Sequence, residues 1–296
     1  MIVLKIVGLS KSTYYYHILI ENKVRIKPEN VGRPIVGYSV SVNGSKVCDE
    51  EIKEYIMEAI QNEAFYYGYH KITYYLRSNL HLIVNHKKVY RLCKELKILK
   101  NQRIIKTPVK SKISVNRIVK KSNVLWEADI KYGYIIGEDK FFFVLSIIDI
   151  FDRSIIEYYM GYRCVGSDAA SLLRRSLIKR DLFNNKNKPV IRTDNGPQFI
   201  SHVFEDACTE IDVYHERIPS RTPNKNAHIE SFHRIFQDEC IGVYEFDRYK
   251  DAYIEVSKFM KRYNTNRIHS SLKYRTPSEF YTHNFGKEIE SMAIHL

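Results

Sequence analysis

Apolar residues fall in two rhythms along this chain, and the rhythm changes near residue 124. Before that point the spacing is helical. Ile52, Ile56 and Ile60 lie four apart within residues 49–63, which places them on one helix face. Val89, Leu92, Cys93 and Leu96 form a second stripe, with Asn85 positioned to cap it. Lys87, Lys88, Arg91 and Lys94 lie off that stripe or beside it. The pattern predicts a short helix with an apolar back and a basic front, suited to a nucleic-acid groove. Residues 2–20 read as two helices about a turn at Gly8, a short helix-turn-helix-like segment over 1–27. Residues 28–48, rich in Pro, Gly, Ser and Val, read as a linker into a helical DNA-binding domain over 49–105.

From Val124 the texture is that of strands: 124–136, 141–150 and 154–160. A helix is expected at about 166–180, a strand at 189–193, a helix starting near Pro197 and a strand near 212–218. A loop at 219–225 leads to a helix whose apolar stripe is Ile229, Phe232, Phe236 and Cys240. Three consecutive strands followed by alternating helix and strand predict an α/β core, a mixed sheet with helices on its faces. Its bounds are 123–285, after a basic linker at 106–122 and before a tail at 286–296.

Charge sharpens this division. The net charge of +13 is all in the first part: residues 1–122 hold 23 Lys and Arg against 9 Asp and Glu, and the remainder holds 24 against 25. Lys100 to Lys121 carries eight basic residues and no acidic one. Such a block suits a polyanion, and DNA affinity is expected to fall steeply with salt through residues 71–121. No apolar run is long enough to span a membrane, and the N-terminus does not read as a secretory signal, so a cytoplasmic protein is expected. The five cysteines, Cys48, Cys93, Cys164, Cys208 and Cys240, are odd in number and scattered, which supports neither a disulfide framework nor a zinc site.

Three acidic residues stand out within the near-neutral part. Asp129 lies inside an apolar strand, where a carboxylate needs a partner or a metal. Asp194 ends a strand and meets Asn195-Gly196, and Glu230 sits beside the apolar stripe of its helix. Carboxylates gathered from two strands and a helix can hold a pair of Mg²⁺ ions, with Mn²⁺ as a substitute, and in a basic protein the substrate would be a phosphodiester. Asp149, Asp152 and Asp212 look similar in the sequence and read as structural. Asn226, His233, Arg234 and Gln237 share the neighbourhood of Glu230 on its helix.

Residues 124–283 resemble the integrase-like core of bacterial insertion-sequence transposases, and more narrowly OrfB of the insertion-sequence-three family. The matching stretches are Trp126-Glu-Ala-Asp129, Ile147-Ile-Asp-Ile-Phe-Asp-Arg153, Thr193-Asp-Asn-Gly-Pro-Gln-Phe199, Asn226-Ala-His-Ile-Glu-Ser-Phe232, Tyr263 to Leu272 and Tyr274 to Phe280. Upstream, Gly8 to Tyr16, Tyr67 to Ile72 and Val89 to Leu92 look like that family's helix-turn-helix region. The resemblance implies an RNase H-like fold with Asp129, Asp194 and Glu230 as catalytic metal ligands. It implies cleavage at transposon ends and transfer of the 3′-hydroxyl to a target strand, by a nucleoid-associated bacterial enzyme working as a homo-oligomer on DNA. An upstream-frame product, OrfA, would be a partner or fusion. Lys71, Lys87, Lys88, Arg91, Lys94, Arg234 and Gln237 are expected to contact DNA. Gln237 departs from the family, which commonly has Lys or Arg there. The alternative is a catalytically silent DNA-binding regulator of transposition.

Overall fold

The computed structural model describes residues 36–62, 64–100, 119–218 and 226–285. The helical segment expected over 1–27, most of the basic linker, the loop 219–225 and the tail lie outside these residues.

The first region is helical with a small sheet added. β1 (Tyr38–Ser41) and β2 (Lys46–Cys48) form an antiparallel hairpin, joined on the other edge of β1 by β3 (Leu82–Ile83). Part of the expected linker is therefore ordered structure. The turn is Asn43-Gly44, where Gly44 takes φ of 87° and its N–H donates to Ser41. Asn-Gly between Val40 and Val47 is itself a hairpin signal, outweighed in the sequence by the Pro and Gly around it. α1 (Asp49–Gln61) buries Ile52, Ile56 and Ala59, and its three acidic residues in the first turn suit the positive helix end. α2 (Tyr69–Asn79) and α3 (His86–Glu95) complete the region, and Asn85 caps α3 by accepting from the Lys87 N–H at 2.9 Å. Val89, Leu92 and Cys93 pack inward, as the periodicity requires.

The second region is a five-stranded sheet in the order β6-β5-β4-β7-β8: β4 (Leu125–Ile135), β5 (Lys140–Asp149), β6 (Ile155–Gly161), β7 (Val190–Thr193) and β8 (His215–Arg217). β4, β5 and β6 pair antiparallel, whereas β7 and β8 run parallel to β4. This is the mixed RNase H-like sheet that the resemblance implies. Trp126, Ala128, Leu145, Ile147 and Ile191 face α4 (Gly166–Lys179) and α5 (His202–Glu210). Phe142, Val144 and Ile148 face α6 (Ala227–Phe236) and α7 (Tyr249–Thr265). α8 (Pro277–Asn284) has Pro277 in its first turn and a capping box between Thr276 and Glu279. The helix expected at Pro197 begins later: Phe199 and Ile200 donate to the Gly196 carbonyl in a turn, and Ser201 caps α5. No helix among the described residues is long and apolar enough to cross a membrane.

The two regions meet through the stretch 266–274. Tyr67 Oη donates to the Asn266 carbonyl at 3.1 Å and accepts from the Ile268 N–H at 3.2 Å. Lys71 Nζ donates to the Ile268 carbonyl at 2.6 Å, and Tyr74 stacks on Tyr274. Lys71, expected on DNA, is thus an anchor between regions. Burial, and then the charge of Arg267, push its ammonium down to about 7 from an ordinary 10.5, against the pull of Glu239. Between those values the folded protein binds fewer protons than the unfolded chain, so stability rises with pH across that window and is lowest below it. Thermal melts from pH 7 to pH 10 are expected to show a flatter pH dependence in Lys71→Met than in the parent.

Candidate active site

Side chains alternate along β4. Trp126 and Ala128 point to α4 and α5, so Glu127 and Asp129 point to the α6 face. The parallel register pairs Ala128 with Thr193, so Asp129, in the middle of β4, comes next to Asp194, just past the carboxyl end of β7. Ligand sites in such sheets collect there. α6 packs on the same face through Ile229, Phe232 and Phe236, and Glu230 stays exposed beside that stripe.

The three carboxylates feel one another. Burial first, and then the negative charges of Asp194 and Glu230, push Asp129 up to about 7, although the Ile130 N–H and Lys131 oppose the rise. Burial raises Glu230 as well. Asp129 Oδ1 accepts from the Ile130 N–H at 2.7 Å, and its Oδ2 lies 3.5 Å from His233 Nδ1. His233 is pushed down to about 3 by burial and by Lys131, so it is neutral and can donate to Asp129 only from a protonated Nδ1. Its Nε2 is buried without a hydrogen-bond partner. Asp194 Oδ1 accepts from the Gly196 N–H at 2.9 Å. A Cβ at Gly196 would meet the Gln198 amide at 2.3 Å and Asp194 Oδ1 at 3.0 Å, so a side chain here would displace the Gln198 amide. Asn195 Nδ2 ties the turn to the Ile218 carbonyl at 2.8 Å.

A buried carboxyl raised by two neighbouring acids is part of a donor set that a divalent cation relieves, and hard oxygen donors suit Mg²⁺. Among the described residues no three Asp, Glu, His or Cys side chains close on a common point as they stand. Asp194 accepts from its own loop and, like Glu230, is exposed, so holding a shared metal requires both side chains to close on Asp129.

Glu127 was not singled out in the sequence. It is 1% exposed, it accepts from the Ile229 N–H at 2.9 Å, and Arg192 lies 3.9 Å away. Burial drives its carboxyl up to about 7. The alternation along β4 is the signal that placed it: it shares a face with Asp129 two residues away.

The other acids are structural, as expected. Asp149 is fully buried and accepts from the N–H groups of Asn123, Phe151 and Asp152 and from Trp126 Nε1. Asp152 pairs with Arg180, and Asp212 holds a turn at φ of 54°. Asn264 braces β6 through two hydrogen bonds to the Ile155 backbone, and Arg267 pairs with Glu239.

The expected DNA contacts divide. Lys87 and Lys94 are exposed on α3. Lys88 and Arg91 are not on that outer face: both bind Asp49 of α1, and Lys88 also donates to the Tyr38 carbonyl at 2.6 Å. The mixed position of these residues beside the apolar stripe let α1 claim them. Instead, His86 and Tyr90 share the exposed surface, with His86 5.3 Å from His70 between ring centres. Arg234 is exposed one turn after Glu230. Gln237 is half-buried where α6 widens into a π turn (Gln237–Ile241), with its amide beside Gly242.

Comparison with known proteins places these features in context. An HTH-like domain model matches residues 48–104, and two integrase core domain models match 119–223 and 211–277. An uncharacterized 39.2 kDa protein of insertion element IS476 from Xanthomonas euvesicatoria is 28% identical over 217 residues, 72% of this chain and 60% of that protein. The putative transposase InsK for insertion sequence element IS150, from Escherichia coli (strain K12), is 24% identical over 289 residues, 94% of this chain and 91% of InsK. Among solved structures, a chain of the simian T-cell lymphotropic virus intasome in complex with PP2A regulatory subunit B56 gamma aligns with a TM-score of 0.46. Its identity is 16%, and the alignment covers 82% of this chain and 79% of that one. The HTH-like and integrase core domains mark the chain as DNA-binding.

Proposed function

We infer that this chain, which belongs to the integrase-core transposases of insertion sequences, cuts transposon DNA ends and joins the freed 3′-hydroxyl to a target strand, with Asp129, Asp194 and Glu230 as its catalytic metal ligands. The observation that carries the reading is the raised proton affinity of Asp129 within β4, caused in part by Asp194 just past β7 and Glu230 on α6. When bound there, a pair of Mg²⁺ or Mn²⁺ ions supplies activation of the attacking oxygen and neutralisation of the leaving one. The chain's own part is to fix the backbone positions from which the carboxylates converge. Asp129 is fixed by the sheet, the Ile130 N–H and His233, and Asp194 by a glycine turn. Arg234 contacts the end-proximal phosphate from the same helix as Glu230. Two copies act on paired ends, with an upstream-frame OrfA product as partner or fusion. The test is strand transfer on end-bearing oligonucleotides: product is expected with Mg²⁺ and none with a chelator. Binding without product in Mg²⁺ and in Mn²⁺ would favour the silent regulator.

DNA is gripped by the outer face of α3, through Lys87 and Lys94 beside His86 and Tyr90. Removing one phosphate-binding cation lowers the slope of log affinity against log salt by about 1. Lys87→Gln with Lys94→Gln is therefore expected to reduce the slope by roughly 2. Lys88→Gln is expected to leave the slope alone and lower the melting temperature, because it removes one of the two cations paired with buried Asp49.

A further inference from the structure

Every acidic group of the proposed site sits on a different element, so something must fix those elements relative to one another. Sheet pairing does this for β4 and β7. It does not do so for α6, which meets the sheet mainly through apolar side chains that tolerate sliding and rotation, with His233 lying 3.5 Å from Asp129. One buried polar group bridges all three. Glu127 is two residues before Asp129 on the same face of β4. Its Oε2 accepts from the N–H of Ile229, the residue before Glu230. Its Oε1 faces Arg192, two residues before Asp194, at 3.9 Å. Arg192 also reaches Glu216 on β8 at 3.3 Å.

We propose that Glu127 is the positioning residue of the active site, its buried carboxylate locking the first turn of α6 against β4 and β7 and so setting where Glu230 stands relative to Asp129 and Asp194. Three features support this role. The acceptor meets N–H groups in the first turn of α6, where the helix has no internal partners for them and where negative charge is favoured. No side chain of the capping residue, Asn226, makes that bond instead. A buried carboxylate is costly unless it is held by several partners, and such a group fixes one arrangement rather than several. Glu127 is two residues from Asp129, and its partners Ile229 and Arg192 are one and two residues from Glu230 and Asp194, so it acts through its neighbours and needs no contact with metal or DNA.

The inference rests on the metal-ligand reading of Asp129, Asp194 and Glu230, and the experiment separates the two. Mn²⁺ affinity is measured on the full chain by electron paramagnetic resonance, with DNA affinity and thermal melting in parallel, for Glu127→Leu, Glu127→Gln and Asp194→Asn. Leu removes the acceptor, and Mn²⁺ affinity is expected to fall at least about tenfold with DNA affinity unchanged, because a misplaced ligand costs metal binding when its supporting partner is removed. Gln keeps an acceptor for Ile229 but loses the charge facing Arg192, and a loss of about threefold is expected with an unmoved melting temperature. Wild-type Mn²⁺ affinity in a folded Leu variant overturns the proposal. If the Leu variant does not fold, the Gln variant decides: affinity equal to the parent overturns it, and the intermediate loss supports it. Asp194→Asn is the control for the underlying reading. Abolished metal binding there with intact binding in both Glu127 variants removes the positioning role alone, whereas full binding in Asp194→Asn removes the metal site itself.

Discussion

Asp129→Asn is expected to lower strand transfer by at least roughly 10³-fold, about 4 kcal/mol of transition-state stabilisation, while leaving DNA affinity within about twofold. The substitution keeps the shape of the side chain and removes the charge. Its fold cost is small, because the proton affinity of Asp129 is already raised to about 7 by burial and by the two neighbouring carboxylates. Removing one negative charge from a mutually repelling trio relieves the folded state. The variant should therefore melt at or above the parent temperature while losing activity. That opposition of stability and function is the mark of a site whose charges are gathered for a cation rather than for packing. Single-turnover strand transfer and a thermal melt on the same preparation check it. An active variant, or one inactive because it is unfolded, contradicts the assignment.

Asp149→Ala gives the opposite outcome. It is expected to destabilise the protein by about 3–5 kcal/mol, the cost of stranding buried polar partners. Asp149 gathers the Asn123 N–H at 2.6 Å, Trp126 Nε1 at 3.2 Å and the Phe151 N–H at 2.8 Å. It thereby ties the entry of β4 to the turn after β5. Burial, with the charge of Asp152 next, raises its carboxyl to about 7. Asp149→Asn retains one acceptor oxygen and should cost less. The fraction of either variant that folds should keep the Mn²⁺ affinity of the parent. Urea melts read the first effect and metal titration the second. Asp129 and Asp149 occupy neighbouring strands of one sheet, and the two variants distinguish an acid that serves chemistry from one that serves the fold.

Much of this architecture is legible in the sequence. The strand-like apolar texture of 124–136 and 141–150 marks β4 and β5 because both strands run long enough for it to persist. Asn85 is readable as a cap because a polar acceptor just before an apolar stripe has few other uses. The trio is legible because each acid interrupts or ends an apolar element. What escapes a sequence reading depends on interactions between distant segments. Lys88 and Arg91 look like surface charge until α1 places Asp49 beside them. Lys71 looks like a DNA contact until the Ile268 carbonyl is brought to it from 197 residues away. Glu127 is hidden for the same reason, since its partners lie on β7 and α6. The hairpin at Asn43-Gly44 is a matter of weighting: a local turn signal reads as part of a linker because its strands are only four and three residues long.

The metal-ligand role of the trio is the central claim, and a change of metal preference tests it more directly than a loss of activity. In Asp194→Cys a soft thiolate replaces a hard carboxylate oxygen, which disfavours Mg²⁺ far more than Mn²⁺. Strand transfer by this variant is measured in each metal against the parent. The account predicts activity near background in Mg²⁺ and at least about tenfold recovery in Mn²⁺, with the parent active in both. Equal loss in the two metals, or equal activity in both, would contradict it.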